Sequence, residues 1–422
     1  MISVGSAQLS EPHVVRENAT PCLRVRQNPS TDSAQRDCIA PGTVITVVET
    51  APFWRRVVLP DGSGGWAAKK FLEPTPIPTP SDPPATLPSD AFLEVHFVDV
   101  GHGDAVWIRT HDDGILGNGV FEGNNIVIDG GRRSSDTTNP FLPYLHDRAH
   151  HDATINTLIV THPHSDHYNG AETIFRHFEV ANYYDPNVPT ASSEYAAFIT
   201  EVEQETIEGQ PSNLMFGLTE FEDLDWGGEL NAEILYSFRD DGTNLGNDAG
   251  TRINNGSIVV RLEYGEHSFL FMGDAEGKHR GDAANASDVP RFVERILLDE
   301  QPPENLRSTV LKIAHHGSET SSTQDFIDAV EPEVVVVCAG RGSFGGTFLP
   351  DESTLRRYCC KDAATRIYRT DVGDAAAGFT ASQAPDGDHV VVRTNGSDLE
   401  VTQFSGGQEV TINLCLPACG SN

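Results

Sequence analysis

Apolar and polar residues alternate in Leu23-Arg24-Val25-Arg26, residues 42–48 are rich in strand formers, and Trp54-Arg55-Arg56-Val57 and Gly65-Trp66-Ala67 stand on either side of a hairpin signal. A period of two marks half-buried strands, and Pro29-Ser30-Thr31-Asp32 and Pro60-Asp61-Gly62 supply the turns between them. A small all-β domain is therefore expected over residues 22–73. Residues 1–21 carry no periodic pattern and read as an arm. Residues 74–90 are proline-rich, which favours extended polyproline II and so a semi-rigid linker. Beyond it, over residues 91–404, strands alternate with helices. Residues 93–98, 105–108, 125–128 and 154–160 read as strands. Residues 141–149 and 170–178 read as helices, the second placing Ala171, Ile174, Phe175 and Phe178 on one face. Residues 257–264 and 268–272 make a hairpin around Gly265-Glu266-His267. Further strands follow at 309–314 and 334–337, with a helix at 323–330 and a β segment around 389–392 and 399–404. The fold class is α/β after a small β domain, with residues 405–422 a C-terminal tail.

Composition changes this picture in two ways. The 62 acidic against 29 basic residues give a net charge of −33, and only five of the bases are lysine (Lys69, Lys70, Lys278, Lys312, Lys361). Such a surface repels nucleic acid at long range unless a basic groove or a metal compensates, so charge disfavours a nucleic-acid partner; adaptation to high salt explains it equally well. No apolar run reaches the roughly 18 residues of a membrane helix, so no transmembrane segment is expected. Met1-Ile2-Ser3-Val4-Gly5 lacks the charged start and apolar centre of a signal peptide; the chain is expected in the cytoplasm, or outside the cell if a signal has been removed. Of seven cysteines, Cys22 with Cys38 and the C-terminal group suit disulfides in an exported protein, and the odd count leaves at least one thiol over.

The chemistry concentrates in Thr161-His162-Pro163-His164-Ser165-Asp166-His167, directly after the apolar Leu158-Ile159-Val160. Neutral imidazoles beside a carboxylate are the ligands that zinc and its neighbours prefer, and packed this tightly they can serve two ions. The following helix starts at this loop, and a helix N-terminus favours an anionic substrate group. Asp129, ending a strand before Gly130-Gly131, is placed to accept hydrogen bonds from the loop and orient it. Asp274 stands where the hairpin's second strand stops. His315 and His316 end another strand; side chains alternate along a strand, so one should reach the site while the other supports it from behind.

Two resemblances follow from these residues. Leu23-Arg24-Val25-Arg26, Gly42 to Val47, Trp54 to Val57, Asp61-Gly62 with Gly65-Trp66, and Phe71-Leu72 resemble, in that order, the bacterial SH3-like domain. That implies a small barrel that binds a cell-wall ligand or packs on a partner domain. Asp99-Val100-Gly101-His102-Gly103-Asp104, Ile128-Asp129-Gly130-Gly131, His162 to His167, Asn255-Gly256-Ser257-Ile258-Val259, Gly273-Asp274 and His315-His316-Gly317-Ser318 resemble the metallo-β-lactamase-fold hydrolases. The likeness is to the branch found in DNA-uptake competence proteins and phosphorylcholine esterases. It implies an αβ/βα sandwich with two metal ions, zinc or alternatively manganese. His162 and His164 would hold one ion, Asp166 and His167 the other, and Asp274 would bridge them, with His315 or His316 completing the first site. Asp166 would also orient the attacking hydroxide or take its proton, while Asp99, His102, Asp129 and Ser318 would steady the ligands.

This chain departs from that branch at two places that matter. Where a Gly-His-Pro is usual it has Phe344-Gly345-Gly346-Thr347-Phe348-Leu349-Pro350, so the second site lacks a histidine and is expected to be partly occupied or to recruit Asp351, Glu352 or His389. His102 also stands where glutamine is usual. The activity these features imply is hydrolysis of a phosphodiester by metal-bound hydroxide, as a nuclease or as a cell-wall or small-molecule phosphodiesterase. The alternatives are a carboxylic ester, lactone or β-lactam hydrolase, or a binding protein whose second site has decayed.

Overall fold

The computed structural model describes residues 11–15, 22–29, 33–51, 54–59, 63–68, 71–74, 92–110, 123–132, 140–148, 154–207, 210–217, 223–226, 230–282, 289–340, 343–344, 347–361, 365–371, 387–405 and 408–410. Residues 75–90 of the proline-rich linker, the turn at 60–62 and Cys415 and Cys419 lie outside them.

The N-terminal strands make one seven-stranded sheet in the order Gln35–Ile39, Leu23–Arg26, Gly64–Ala68, Trp54–Val58, Val44–Ala51, Glu11–Val15, Leu72–Pro74. Leu23, Val25, Val57 and Ala67 turn inward and are buried, as the period of two requires. Cys22 and Cys38 form a disulfide at this sheet's edge, with Cα atoms 5.4 Å apart. One element departs from expectation: Glu11–Val15, within the stretch read as an arm, is a strand. It is recruited by backbone pairing with Val44–Ala51 on one side and Leu72–Pro74 on the other, a signal its own pattern does not carry.

The larger part is built on two sheets. The first has nine strands, Asn213–Phe216, Glu179–Asp185, Thr154–Ile159, Asn125–Ile128, Val106–Arg109, Leu93–Phe97, Val390–Thr394, Leu399–Ser405 and Gln408–Val410. The second has seven, Asp223–Leu224, Asn231–Tyr236, Val259–Tyr264, His267–Phe271, Val310–Lys312, Val334–Val337 and Arg366–Arg369. Their facing surfaces share one core, in which Phe97, Val106, Ile126 and Ile159 meet Val260, Phe269, Phe271 and Val336. The outer face of the first sheet packs on the helices Phe141–Arg148, Ser165–His177 and Ser193–Val202. That of the second packs on Phe292–Glu300, Gln324–Val330 and Glu352–Lys361. The layers are thus helix, sheet, sheet, helix, the αβ/βα sandwich expected from the sequence. The apolar Val334-Val335-Val336-Val337 run is buried on both faces because helices cover one side and the other sheet covers the second.

Candidate metal centre

The metal loop leaves the strand Thr154–Ile159 and runs straight into the helix Ser165–His177. Its shape is set by Asp129, which follows Asn125–Ile128 in a left-handed conformation (φ 59°) that aims its buried carboxylate back at the loop. That carboxylate accepts hydrogen bonds from Thr161 N (2.8 Å) and Thr161 Oγ1 (2.7 Å) and lies 2.7 Å from His167 Nδ1. The amide of Gly130 donates to His167 O at 2.8 Å. A Cβ on Gly130 would sit 2.2 Å from Ala171 N, so only glycine lets the helix approach this turn. Gly103 plays the same part on the other side, where a Cβ would meet Asp166 O at 2.2 Å.

Three groups of donor atoms, each within 4.8 Å of one another, converge here. The first is His162, His164 and Asp274, with His162 Nε2 3.1 Å from His164 Nδ1 and 3.8 Å from Asp274 Oδ2. The second is Asp104, His167, Asp274 and His316, with His167 Nε2 3.4 Å from Asp274 Oδ1 and His316 Nε2 3.5 Å from Asp274 Oδ2. The third is His102, Asp166 and His316; Asp166 Oδ2 is 3.1 Å from His102 Nε2 and 3.5 Å from His316 Nε2. Asp274 is common to the first two groups. Ser257 Oγ fixes it by accepting from its amide at 3.0 Å, and the same hydroxyl lies 3.4 Å from His162 Nδ1.

A divalent cation fits this donor set. His167 Nε2, His316 Nε2 and Asp274 Oδ1 are buried and make no hydrogen bond, although they point at one another. Buried polar atoms normally find partners, and unpaired ligand atoms aimed at a common point suit a shared cation. The electrostatics agree. Burial alone would push His167 and His316 down, but Asp274, aided by Asp129 at His167 and Asp104 at His316, holds both well above the usual histidine range. Burial likewise raises Asp274 and Asp166, yet the surrounding imidazoles, His316 and His167 at Asp274 and His102 and His316 at Asp166, bring both well below the usual carboxylate range. A cation would replace those protons.

His315 and His316 do not lie on a strand. The strand Val310–Lys312 has ended, and both residues sit in a tight turn with positive φ (48° and 51°), so strand alternation does not govern them. His316, one of the two residues that the resemblance offered for the first site, is buried and lies on the Asp166 and His167 side. Its Nδ1 lies 2.9 Å from Cys338 O and 3.3 Å from Asp104 Oδ1. His315 belongs to none of the three groups; its Nε2 is 4.0 Å from Asp274 Oδ2, and its Nδ1 is 3.2 Å from Glu276 and 3.1 Å from Thr320 Oγ1. His316 lies on the side for which a histidine near Gly346 was expected. The other candidates for that place are engaged elsewhere: Asp351 holds Arg280 at 2.9 Å, Glu352 pairs with Arg356 and His389 accepts from Asp99 N at 3.0 Å.

Of the residues expected to steady the ligands, Asp129 and His102 touch them directly. Ser318 touches His315 through its backbone, its amide donating to His315 O at 2.8 Å, while its hydroxyl lies 2.9 Å from Thr320 Oγ1. Asp99 instead braces its own turn, accepting from the amides of Gly101, Gly387 and Asp388 at 3.0, 3.1 and 3.2 Å. Sequence reasoning missed Asp104 and Lys312, which form a buried ion pair beneath His316, with Lys312 Nζ also donating to Gly273 O at 3.1 Å. The signals were present: Asp104 closes the Asp99 to Asp104 motif, and Lys312 is one of only five lysines and lies three residues before His315.

A fold of this layering with a histidine and aspartate cluster at its edge defines a class, and sequence comparison agrees with it. Residues 120–341 match the metallo-beta-lactamase superfamily, made up mostly of hydrolases, and residues 21–74 match the bacterial SH3 domain. The chain belongs to the metallo-β-lactamase superfamily, whose fold implies a divalent metal. Among curated proteins it resembles ComE operon protein 3 of Bacillus subtilis, 22% identical over 267 residues covering 59% of this chain and 29% of that protein. It also resembles Recombination protein 2 of Haemophilus influenzae, 27% identical over 252 residues covering 59% of this chain and 24% of that protein. The chain therefore spans under a third of the length of the curated relatives it matches. A solved metal-dependent hydrolase of the β-lactamase superfamily is similar over 69% of this chain and 99% of its own, at 13% identity and a TM-score of 0.37. Among the described residues no helix is long and apolar enough to cross a membrane.

Proposed function

We propose that the chain is a binuclear metal-dependent phosphodiesterase. The observation that supports this most is Asp274, one carboxylate shared by two groups of ligand atoms. His162, His164 and Asp274 would hold one ion; Asp166, His167, His316 and Asp274 would hold the other. Zinc suits this set of imidazoles and carboxylates, with manganese the alternative. Bound there, a pair of divalent cations supplies Lewis acidity, making water a stronger acid and offsetting phosphate charge. The protein's own residues do the rest. Asp166, largely buried at the loop and kept ionised, accepts a hydrogen bond from water and so orients it, and His102 steadies its carboxylate. The helix Ser165–His177 begins at the site, and the positive end of its dipole favours an anionic group there. Phosphodiester substrates are favoured over carbonyl substrates by that helix and by a relative named as a recombination protein. Residues 22–73 are taken as a separate binding unit joined by the proline-rich linker to the hydrolase unit at 91–404.

The test is turnover by zinc- or manganese-loaded protein of bis(p-nitrophenyl) phosphate, single-stranded DNA and nitrocefin. Cleavage of either phosphodiester, lost in His164→Ala, is the expected result. Turnover of nitrocefin alone, or of none of the three with metal bound, contradicts the reading.

A further inference from the structure

The acidity of the chain is unevenly placed. Residues 21–74 carry seven Lys and Arg against five Asp and Glu, while the whole chain carries 29 against 62. Three of these arginines share the outward face of the N-terminal sheet with two tryptophans. In the strand Leu23–Arg26, Leu23 and Val25 are buried and Arg24 and Arg26 face out; in Trp54–Val58, Arg55 and Val57 are buried and Trp54 and Arg56 face out; in Gly64–Ala68, Gly65 and Ala67 are buried and Trp66 faces out. The register sets Arg26 opposite Trp66 and Trp66 opposite Arg56, so one indole lies between two guanidinium-bearing positions across three neighbouring strands. Residues directly opposite have Cβ atoms about 5 Å apart. Trp54 extends the row two residues along from Arg56, and Arg24 two along from Arg26. Both indoles are half-exposed, and Arg24 and Arg56 are exposed. Against them stands Glu49, opposite Arg56 on the next strand.

From this juxtaposition we infer that the outward face of the N-terminal sheet, built on Arg24, Arg26, Arg56, Trp54 and Trp66, binds single-stranded nucleic acid. Arginines meet phosphates, and flat indoles offer a stacking platform that an unpaired base can use. A base-free phosphodiester polymer would gain nothing from the indoles, and a duplex hides its base faces. A basic face on a unit of reversed charge balance also answers the repulsion that the rest of the chain exerts on a polyanion. The inference deepens the phosphodiester reading, on which it rests for its purpose: the N-terminal unit would capture the strand that the metal centre cleaves.

Binding is measured in the full chain carrying His164→Ala, by fluorescence anisotropy of labelled oligothymidine at low salt. The expected result is a complex whose log K falls against log salt with a slope of about −2, from three phosphate contacts on a single strand. Trp66→Ala should weaken it about tenfold, the loss of one stacked base. Arg26→Gln with Arg56→Gln should weaken it at least tenfold while the unfolding midpoint moves by only a few degrees, Arg26 losing its 2.7 Å hydrogen bond to Ser33 O. No complex at low salt, the outcome if the acidic remainder of the chain covers this face, overturns the inference. So does binding unaltered by the double arginine variant, or equal affinity for inorganic polyphosphate. A chain that binds oligothymidine but hydrolyses no phosphodiester would sink the proposed function and not this inference.

Discussion

Lys312 and Asp104 are both nearly inaccessible, and a buried ion pair costs most when one partner is removed. Burial raises Asp104, but Lys312 and then His316 outweigh it and keep the carboxylate ionised. Lys312→Met should therefore destabilise the fold by about 3 to 5 kcal/mol, read by denaturant unfolding, whereas a surface change such as Arg307→Met should stay within about 0.5 kcal/mol. His389 gives a pH signature. Burial, with Arg148 and His96 nearby, lowers it from the usual histidine value to about 4. The folded chain then keeps it neutral while the unfolded chain takes up a proton as pH falls below about 6.5. Stability is fully present above that pH and is lost progressively down to about 4, by on the order of 2 kcal/mol after allowance for partial exposure. The difference between wild type and His389→Gln, whose amide oxygen can still accept from Asp99 N, should follow that window. A flat difference from pH 7 to 4 would refute it.

At the scale of elements, the site depends on how closely the helix Ser165–His177 can approach the turn after Asn125–Ile128. Gly130→Ala forces a Cβ against helix backbone that cannot give way. It should cost about 1 to 3 kcal/mol and also weaken metal binding, since the helix carries Asp166 and His167; unchanged affinity by calorimetry would show that the approach does not matter. This level was the most legible in the sequence. Period-two strands, the Gly130-Gly131 turn and the cluster from His162 to His167 all survive as elements, because each is a local pattern. What was not legible was conformation set by neighbours. The left-handed turn at His315 and His316 breaks the strand alternation that argued for opposite faces. The strand Glu11–Val15 exists only because two other strands offer it backbone partners. Asp104 and Lys312 meet across 208 residues, beyond the reach of any local pattern.

For the whole molecule, the sandwich brings the ends of strands from both sheets to one edge: Asp129 and the metal loop from the first, Asp274 and His316 from the second. Neither sheet holds a full ligand set, so metal binding and the packing of the two sheets are coupled, and bound metal should raise the unfolding temperature. The direct test is metal content by plasma mass spectrometry after reconstitution and desalting. Two equivalents of zinc or manganese per chain are expected, falling to about one in His164→Ala and in His316→Ala and below one in Asp274→Ala. No bound metal, or two equivalents that survive Asp274→Ala, would contradict a binuclear centre bridged by that carboxylate.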